Sequence, residues 1–304
     1  MLDEEHTEKL AKQLADRTLA QIIVETGLLV LIALTSLVGN SCVLYVFYKT
    51  PHLRSVTSYY IITLAIADVI MASTVMPINI AVAAVGELPQ VIDSKVAKIL
   101  SYVAFGLMVG STQTTTLIAV NRFFCVVKPS IYRKIFKPKP AMILLLGFWL
   151  FSIFIVVLPC LSGMAEFKLS PGSVAYLLIF HDLRVVILYN TIVVLVSIWI
   201  PLSVTAVSYW KIYKVVTGHN AVVLPSLNTG PSNNSSSLTN EDIHITRSLL
   251  ALVNRILKHM PREVEMVYIY FAFLSSAINP ILFNLFNRPF RKEFLRVIFH
   301  IERE

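Results

Sequence analysis

The sequence predicts an all-α integral membrane protein, a bundle of seven helices whose sixth is short or incomplete, closed by an amphipathic helix at the membrane surface. Three observations predict it. Of the 304 residues, 56% are hydrophobic and only 14% charged, and mean hydropathy is +0.71, too apolar and charge-poor for an ordinary soluble domain. Uncharged runs of 23 residues occur at 26–48 and 99–121, and a helix of that length crosses a hydrocarbon core of about 30 Å. The bases gather in short clusters between the runs: KTPHLRS at 49–55, KPSIYRKIFKPKP at 128–140 and NRPFRK at 287–292. Cytoplasmic loops facing anionic lipid are charged in this way, so the net charge of +8 implies a lipid bilayer as partner and no nucleic acid.

Residues 1–21 form a polar tail with five acids (Asp3, Glu4, Glu5, Glu8, Asp16) against three bases (Lys9, Lys12, Arg17). That is the opposite of a secretory leader, so the first apolar run is expected to act as an uncleaved signal anchor. With the basic turn at 49–54 following it, the positive-inside rule puts the N-terminus outside. Bundle residues 22–287 are expected to cross at about 22–48, 56–85, 96–127, 140–162, 184–213 and 264–287, with a partial crossing at 243–260.

The second span carries one charge, Asp68, and a Pro77 expected to kink it. A lone carboxylate near mid-membrane marks a functional cavity by default; the plainer alternative is a protonated acid hydrogen-bonded between helices. The third span holds Ser101, Ser111, Thr112, Gln113, Thr114, Thr115 and Thr116, too many polar groups for lipid, so most should face other helices. It ends at Asn121, Arg122 and Phe123, where an arginine at the boundary either snorkels to water or awaits a partner. Trp149 and Pro159 mark the fourth span, and Pro201 and Tyr209 the fifth.

Residues 218–242 are rich in Asn, Ser, Pro, Thr and Gly and are expected to form a disordered third cytoplasmic loop. The stretch 243–260 should supply a further crossing, yet it carries Arg247, Arg255 and Lys258. Each base near a helix centre costs about 2.5–3.5 kcal/mol on insertion scales, so this segment would enter only partway, held by its neighbours. Residues 288–304 pair Phe290, Phe294, Leu295 and Ile298 with Arg288, Arg291, Lys292 and Arg296, an amphipathic surface helix with a cytoplasmic tail. Cys42, Cys125 and Cys160 all lie within or at the ends of apolar runs, which suggests neither a disulfide framework nor metal-ligand spacing. His181 and Asp182 are adjacent and point to different sides of any element, so they make no catalytic pair and the chain is not read as an enzyme. Cys125 could be acylated at the membrane boundary, against the plainer reading of a packed small residue.

Taken in order, Gly39-Asn40, Leu64-Ala65-x-Ala67-Asp68, Ser111, Asn121-Arg122-Phe123, Trp149, Pro201 with Tyr209, Asn279-Pro280-Ile281-Leu282-Phe283 and Phe290-Arg291 resemble the rhodopsin-like (class A) G-protein-coupled receptors. Each motif alone is weak; their order and spacing carry the resemblance. It implies a plasma-membrane, multi-pass receptor, N-terminus outside and C-terminus cytoplasmic, that couples a small extracellular ligand to a heterotrimeric G protein by a two-state rearrangement. It also implies a sodium and water site at Asp68, Ser111 and Asn279, with Asn40 nearby and no other cofactor. The activation switch and G-protein contact would comprise Asn121, Arg122, Phe123, Tyr209, Pro280 and Phe283. The ligand pocket would be lined by Met76, Asn79, Ala104, Met108, Val193 and Ser197, mostly apolar and suited to a small uncharged ligand.

The departures from the family pattern are as informative. Asn121 replaces the acid usual before the switch arginine, a likeness to melatonin receptors, while Asn279-Pro280 differs from their Asn-Ala. Phe283 replaces a tyrosine, Ala97 stands where the family's extracellular bridge has a cysteine, and Ala104 stands where amine receptors have an aspartate. The sixth helix reads as ITRSLLALV joined directly to NRILKHMP, as though roughly twenty residues, one span's worth, were missing. Two further readings follow: a truncated, non-signalling receptor that pairs with full-length relatives as a dimer, and a six-span transporter or channel with Asp68 lining a path.

Overall fold

The computed structural model describes residues 4–53, 55–220 and 262–299. The elements in order are α1 (Glu4–Ala15), α2 (Leu19–Lys49), α3 (Val56–Ile70), α4 (Met76–Val85), α5 (Ser94–Val127), α6 (Pro129–Ile135), α7 (Pro138–Leu161), strands β1 (Ala165–Ser170) and β2 (Ala175–Phe180), α8 (Leu183–Val194), α9 (Ile200–Asn220), α10 (Arg262–Phe286) and α11 (Arg288–Phe299). Six stretches among the described residues are long and apolar enough to cross a membrane: Leu19–Lys49, Val56–Val85, Ser94–Val127, Pro138–Leu161, Ile187–Val215 and Arg262–Leu285. The partial crossing expected at 243–260 lies outside the described residues.

Local chemistry sets the ends. Thr18 and Gln21 form a reciprocal capping box at the start of α2, and Ser55, Asp93 and Asp182 cap α3, α5 and α8 by accepting a backbone N–H. Gly86 ends α4 in the left-handed conformation, φ 90°, where a side chain would be strained. A π turn, Met71–Val75, joins α3 to α4, and another, Leu195–Trp199, joins α8 to α9. Pro77 has no N–H to give the preceding turn, and the wide turn just before it absorbs that loss; Pro77 becomes an early residue of α4.

Two elements outside the predicted spans are added and one bound is corrected. The acidic tail is largely helical, because Leu10 and Leu14, one turn apart, are 2% and 3% exposed and drive the helix onto the bundle. The segment after α7 is a β-hairpin, in register from Ala165 opposite Phe180 to Ser170 opposite Ala175. Helix α9 runs through Asn220, past the residue 218 expected to begin the loop, since a formed helix extends cheaply beyond its membrane span.

Helix α5 is central, packed on α3, α7 and α9, while α2 packs on α3, α4 and α10. One apolar cluster, with Leu14, Leu29, Met76, Val82, Val174, Met266 and Phe273, fills the end nearest the hairpin. Another, with Val43, Phe47, Tyr60, Leu64, Leu117, Leu145 and Phe290, fills the opposite end. Contacts along α10 fix its direction. Arg262 meets Glu25, Ser276 meets Asn40, and Phe290 just beyond meets Phe47, so α10 runs the same way as α2. Helix α9 runs parallel to α5, with Gln113 reaching Val196 and Phe123 reaching Lys211. The alternating spans α2, α3–α4 and α5 make α5 parallel to α2. Helices α9 and α10 therefore run in the same direction.

Candidate functional site

The middle of the bundle is organised around a proline. Pro280 lacks the N–H that would have closed onto the carbonyl of Ser276 four residues earlier. Asn40 of α2 supplies it: its Nδ2 donates to that carbonyl at 3.1 Å and to the Ser36 carbonyl at 2.9 Å. The two helices come close because Gly39 has no side chain; a Cβ there would stand 2.9 Å from Pro280 Cγ. On the next turn, Asn279 Nδ2 donates to Asp68 Oδ2 at 2.8 Å, and Asp68 is 1% exposed. Asn40, Asp68 and Asn279 are thus joined through one turn of α10. Asn40 Oδ1 is buried and unpaired.

Ser111 is half-buried, and its hydroxyl bonds to neither Asp68 nor Asn279. Beside it, Gly110 lies against the Trp149 ring so closely that a Cβ would come within 2.9 Å. That face of α5 is held on α7.

Toward the opposite end, Asn121 is fully buried and accepts a hydrogen bond from Thr57 Oγ1 at 2.6 Å, while its Nδ2 has no partner. The neutral amide therefore ties α5 to α3 instead of pairing with the arginine beside it. Arg122 is half-buried and makes no hydrogen bond or ion pair among the described residues, and Tyr209 is 51% exposed. Phe123 stacks edgewise on Phe124 with centroids 5.1 Å apart, and Lys211 lies over its face. Phe283 packs against the cluster around Phe47 and Phe290.

Of the six residues expected to line a pocket, Met76, Asn79 and Ser197 are buried, and Ala104, Met108 and Val193 half-buried. A cavity of about 20 Å³ sits between α4, the outer part of α5 and the hairpin; it is bordered by Asn79 together with Val82, Ser101, Val174 and Tyr176. Met76 belongs instead to the apolar cluster beside it. Sequence reasoning missed the hairpin tip that fills this space. The signal was available, since Ser-Pro-Gly-Ser at 170–173 between two apolar runs reads as a tight turn. Burial pushes the Tyr176 phenol above its ordinary range, whereas the exposed Glu166 carboxyl is held below its own by Lys168 at 2.7 Å. Ala97, where the family's bridge cysteine would stand, is buried at the same cavity. The hairpin is fastened there by Phe167, whose ring meets Tyr102 and Phe105 edgewise at 4.7 and 5.4 Å.

Residues 39–253 match the family model of the 7 transmembrane receptor (rhodopsin family). The chain belongs to that family. Similar proteins include the D(1)-like dopamine receptor of Takifugu rubripes, 27% identical over 67% of this chain and 46% of that receptor. Melatonin receptor type 1A of Ovis aries is 22% identical over 92% of the chain and 77% of the receptor, and octopamine receptor beta-1R of Drosophila melanogaster 22% over 92% and 62%. The chain spans less than half the length of the dopamine receptors that it matches. As a rhodopsin-family receptor it is a multi-pass protein of the plasma membrane and not an enzyme, and the transporter or channel reading is set aside. The matched residues end at Val253, ahead of α10.

Proposed function

We propose that this receptor transmits binding of a small, uncharged ligand at the hairpin end to a heterotrimeric G protein at the opposite end, by exchange between two bundle states. The N-terminus and hairpin lie outside the cell, and α11, with the basic cluster at 128–139, lies in the cytoplasm. The observation that carries the reading is the Asp68–Asn279 hydrogen bond beside the Asn40–Ser276 bond. It ties three spans through polar groups that a merely structural bundle would fill with apolar side chains. Arg122, free of any ion pair among the described residues, is the group that would turn to receive the G protein's C-terminal segment, with Tyr209 as its partner. The Asp68 carboxylate and the unpaired Asn40 Oδ1 flank the same turn of α10, and oxygen donors of this kind suit a sodium ion. Such an ion would favour the state in which this turn is closed.

The decisive measurement is basal guanine-nucleotide exchange in membranes containing the full chain and each class of Gα subunit. Exchange above mock membranes, lost in Arg122→Ala, supports the proposal. A second reading is favoured by the end of the family match at Val253: a receptor that does not signal and acts by pairing with full-length relatives. No exchange with any Gα class, together with resonance energy transfer to a co-expressed full-length receptor, would establish that reading in place of the first.

A further inference from the structure

We propose that α1 and the β-hairpin form a cap that the receptor closes over its own cavity, and that Glu25, gripped between Arg17 and Arg262, is the latch that keeps the cap shut. This goes beyond the signalling assignment and holds whether or not the chain couples to a G protein.

The latch is built from charges that a membrane protein keeps buried only when they are paired. The Arg17 and Arg262 side chains are 3% and 4% exposed. Glu25 receives Arg17 Nη1 at 2.8 Å and both terminal nitrogens of Arg262, at 2.7 and 2.5 Å, in a two-pronged grip. Arg17 also donates its Nε to the Leu14 carbonyl and its Nη1 to the Ala83 carbonyl, each at 2.8 Å. These are backbone oxygens from the last turns of α1 and α4, which a helix leaves without donors of its own. One carboxylate thereby holds α1, α2, α4 and the first turn of α10 together.

The hairpin is fastened to the same turn of α10. Ser170 Oγ donates to Glu265 Oε2 at 3.1 Å, and the Glu265 carboxylate lies so near Gly172 that a Cβ there would overlap it. Beyond Gly172, Val174 is held at φ 48° and is 1% exposed. A β-branched residue adopts that conformation only where its surroundings impose it. Val174 and Leu14 belong to one apolar cluster with Val82 and Met266, and Val82 and Val174 border the cavity, so the cluster that α1 joins forms part of the cavity wall. The space left beneath, about 20 Å³, is room for a water molecule. A ligand arriving at this end must lift the cap, and lifting it breaks the Glu25 grip.

The test uses the full chain in detergent micelles with Cys42, Cys125 and Cys160 replaced by serine. Ser101→Cys is placed at the cavity wall, and a charged methanethiosulfonate reagent reports access. Val91→Cys, at a residue 95% exposed, sets the rate for a free thiol. Ala65→Cys, buried in the far cluster, reports opening of the whole bundle. The Ser101→Cys thiol should react at least a hundredfold more slowly than Val91→Cys. Adding Glu25→Ala, or Arg17→Ala, which leaves the Arg262 pair in place, should speed it tenfold or more while Ala65→Cys stays protected. Three results would each overturn the proposal: reaction at the Val91→Cys rate with the latch intact, no acceleration in either variant, or parallel exposure of Ala65→Cys. In the last case the ionic cluster would merely hold the bundle together.

Discussion

Asn40 donates to the Ser276 carbonyl at 3.1 Å across 236 positions of sequence, replacing the helical hydrogen bond that Pro280 cannot make. The relationship assigns each residue of two short motifs a physical task. Gly39 admits Pro280, Pro280 frees a carbonyl, and Asn40 takes it. Asn40→Ala should cost about 1–3 kcal/mol, the penalty for a buried acceptor left without a donor, read as a lower unfolding temperature in detergent. Pro280→Ala returns an N–H to the helix, so in that background Asn40→Ala should cost at least about 1 kcal/mol less. Equal costs in the two backgrounds would remove Ser276 as the reason for Asn40.

The glycines make a graded series. Gly110→Ala drives a methyl to 2.9 Å from the Trp149 ring, and Trp149 is wedged between both apolar clusters. Overpacking of that kind costs about 1–3 kcal/mol. Gly27→Ala meets nothing within 4 Å and should gain up to about 1 kcal/mol from helix propensity alone. Unfolding temperatures of the two variants should move in opposite directions; a loss in both would mean that backbone flexibility, not space, sets the choice of glycine.

The spans were legible because an uncharged run must be buried wherever it lies, and runs such as 26–48 and 99–121 fall inside α2 and α5. Rotation about the axis was not. The spacing of Ser111 is as suitable for meeting Asp68 as for missing it, and the Gly110–Trp149 contact on the adjacent face depends on a helix 39 residues further along. The partnership of Glu25 with Arg17 and Arg262 was half visible, since an acid near the start of an apolar run requires a partner, but nothing in the sequence names a base 237 residues away. The π turns at Met71–Val75 and Leu195–Trp199 leave no mark in composition or periodicity. Pro77 and Pro201, beside them, signalled a distortion without its kind.

Thr57 should matter because Asn121 is neutral. Its hydroxyl is the partner of Asn121 Oδ1, and Nδ2 is already bare. Thr57→Val would leave the whole amide buried and unpaired, at about 1–3 kcal/mol, whereas Thr57→Ser retains the donor and most of the stability. Asn121→Asp would put a carboxylate beside Arg122, holding the guanidinium down, and should lower basal nucleotide exchange. Unchanged exchange in Asn121→Asp would show that Arg122 is already restrained by something else.

Sodium at Asp68 makes a prediction with two signs. A carboxylate 1% exposed, hydrogen-bonded by Asn279 and Ser276, carries a desolvation cost that a bound cation would offset. At 100 times its dissociation constant, sodium would stabilise the folded receptor by about 2.7 kcal/mol. Unfolding temperature should therefore rise with sodium chloride but not with choline chloride at equal ionic strength. Asp68→Asn keeps the shape and removes the charge. In choline chloride the variant should be the more stable protein, because no carboxylate is buried without a counter-charge, and added sodium should leave it unmoved. A variant that still responds to sodium would place the ion elsewhere; one that is less stable in choline would show that Asn279 and its neighbours already offset the charge of Asp68 in full, leaving the cation nothing to supply.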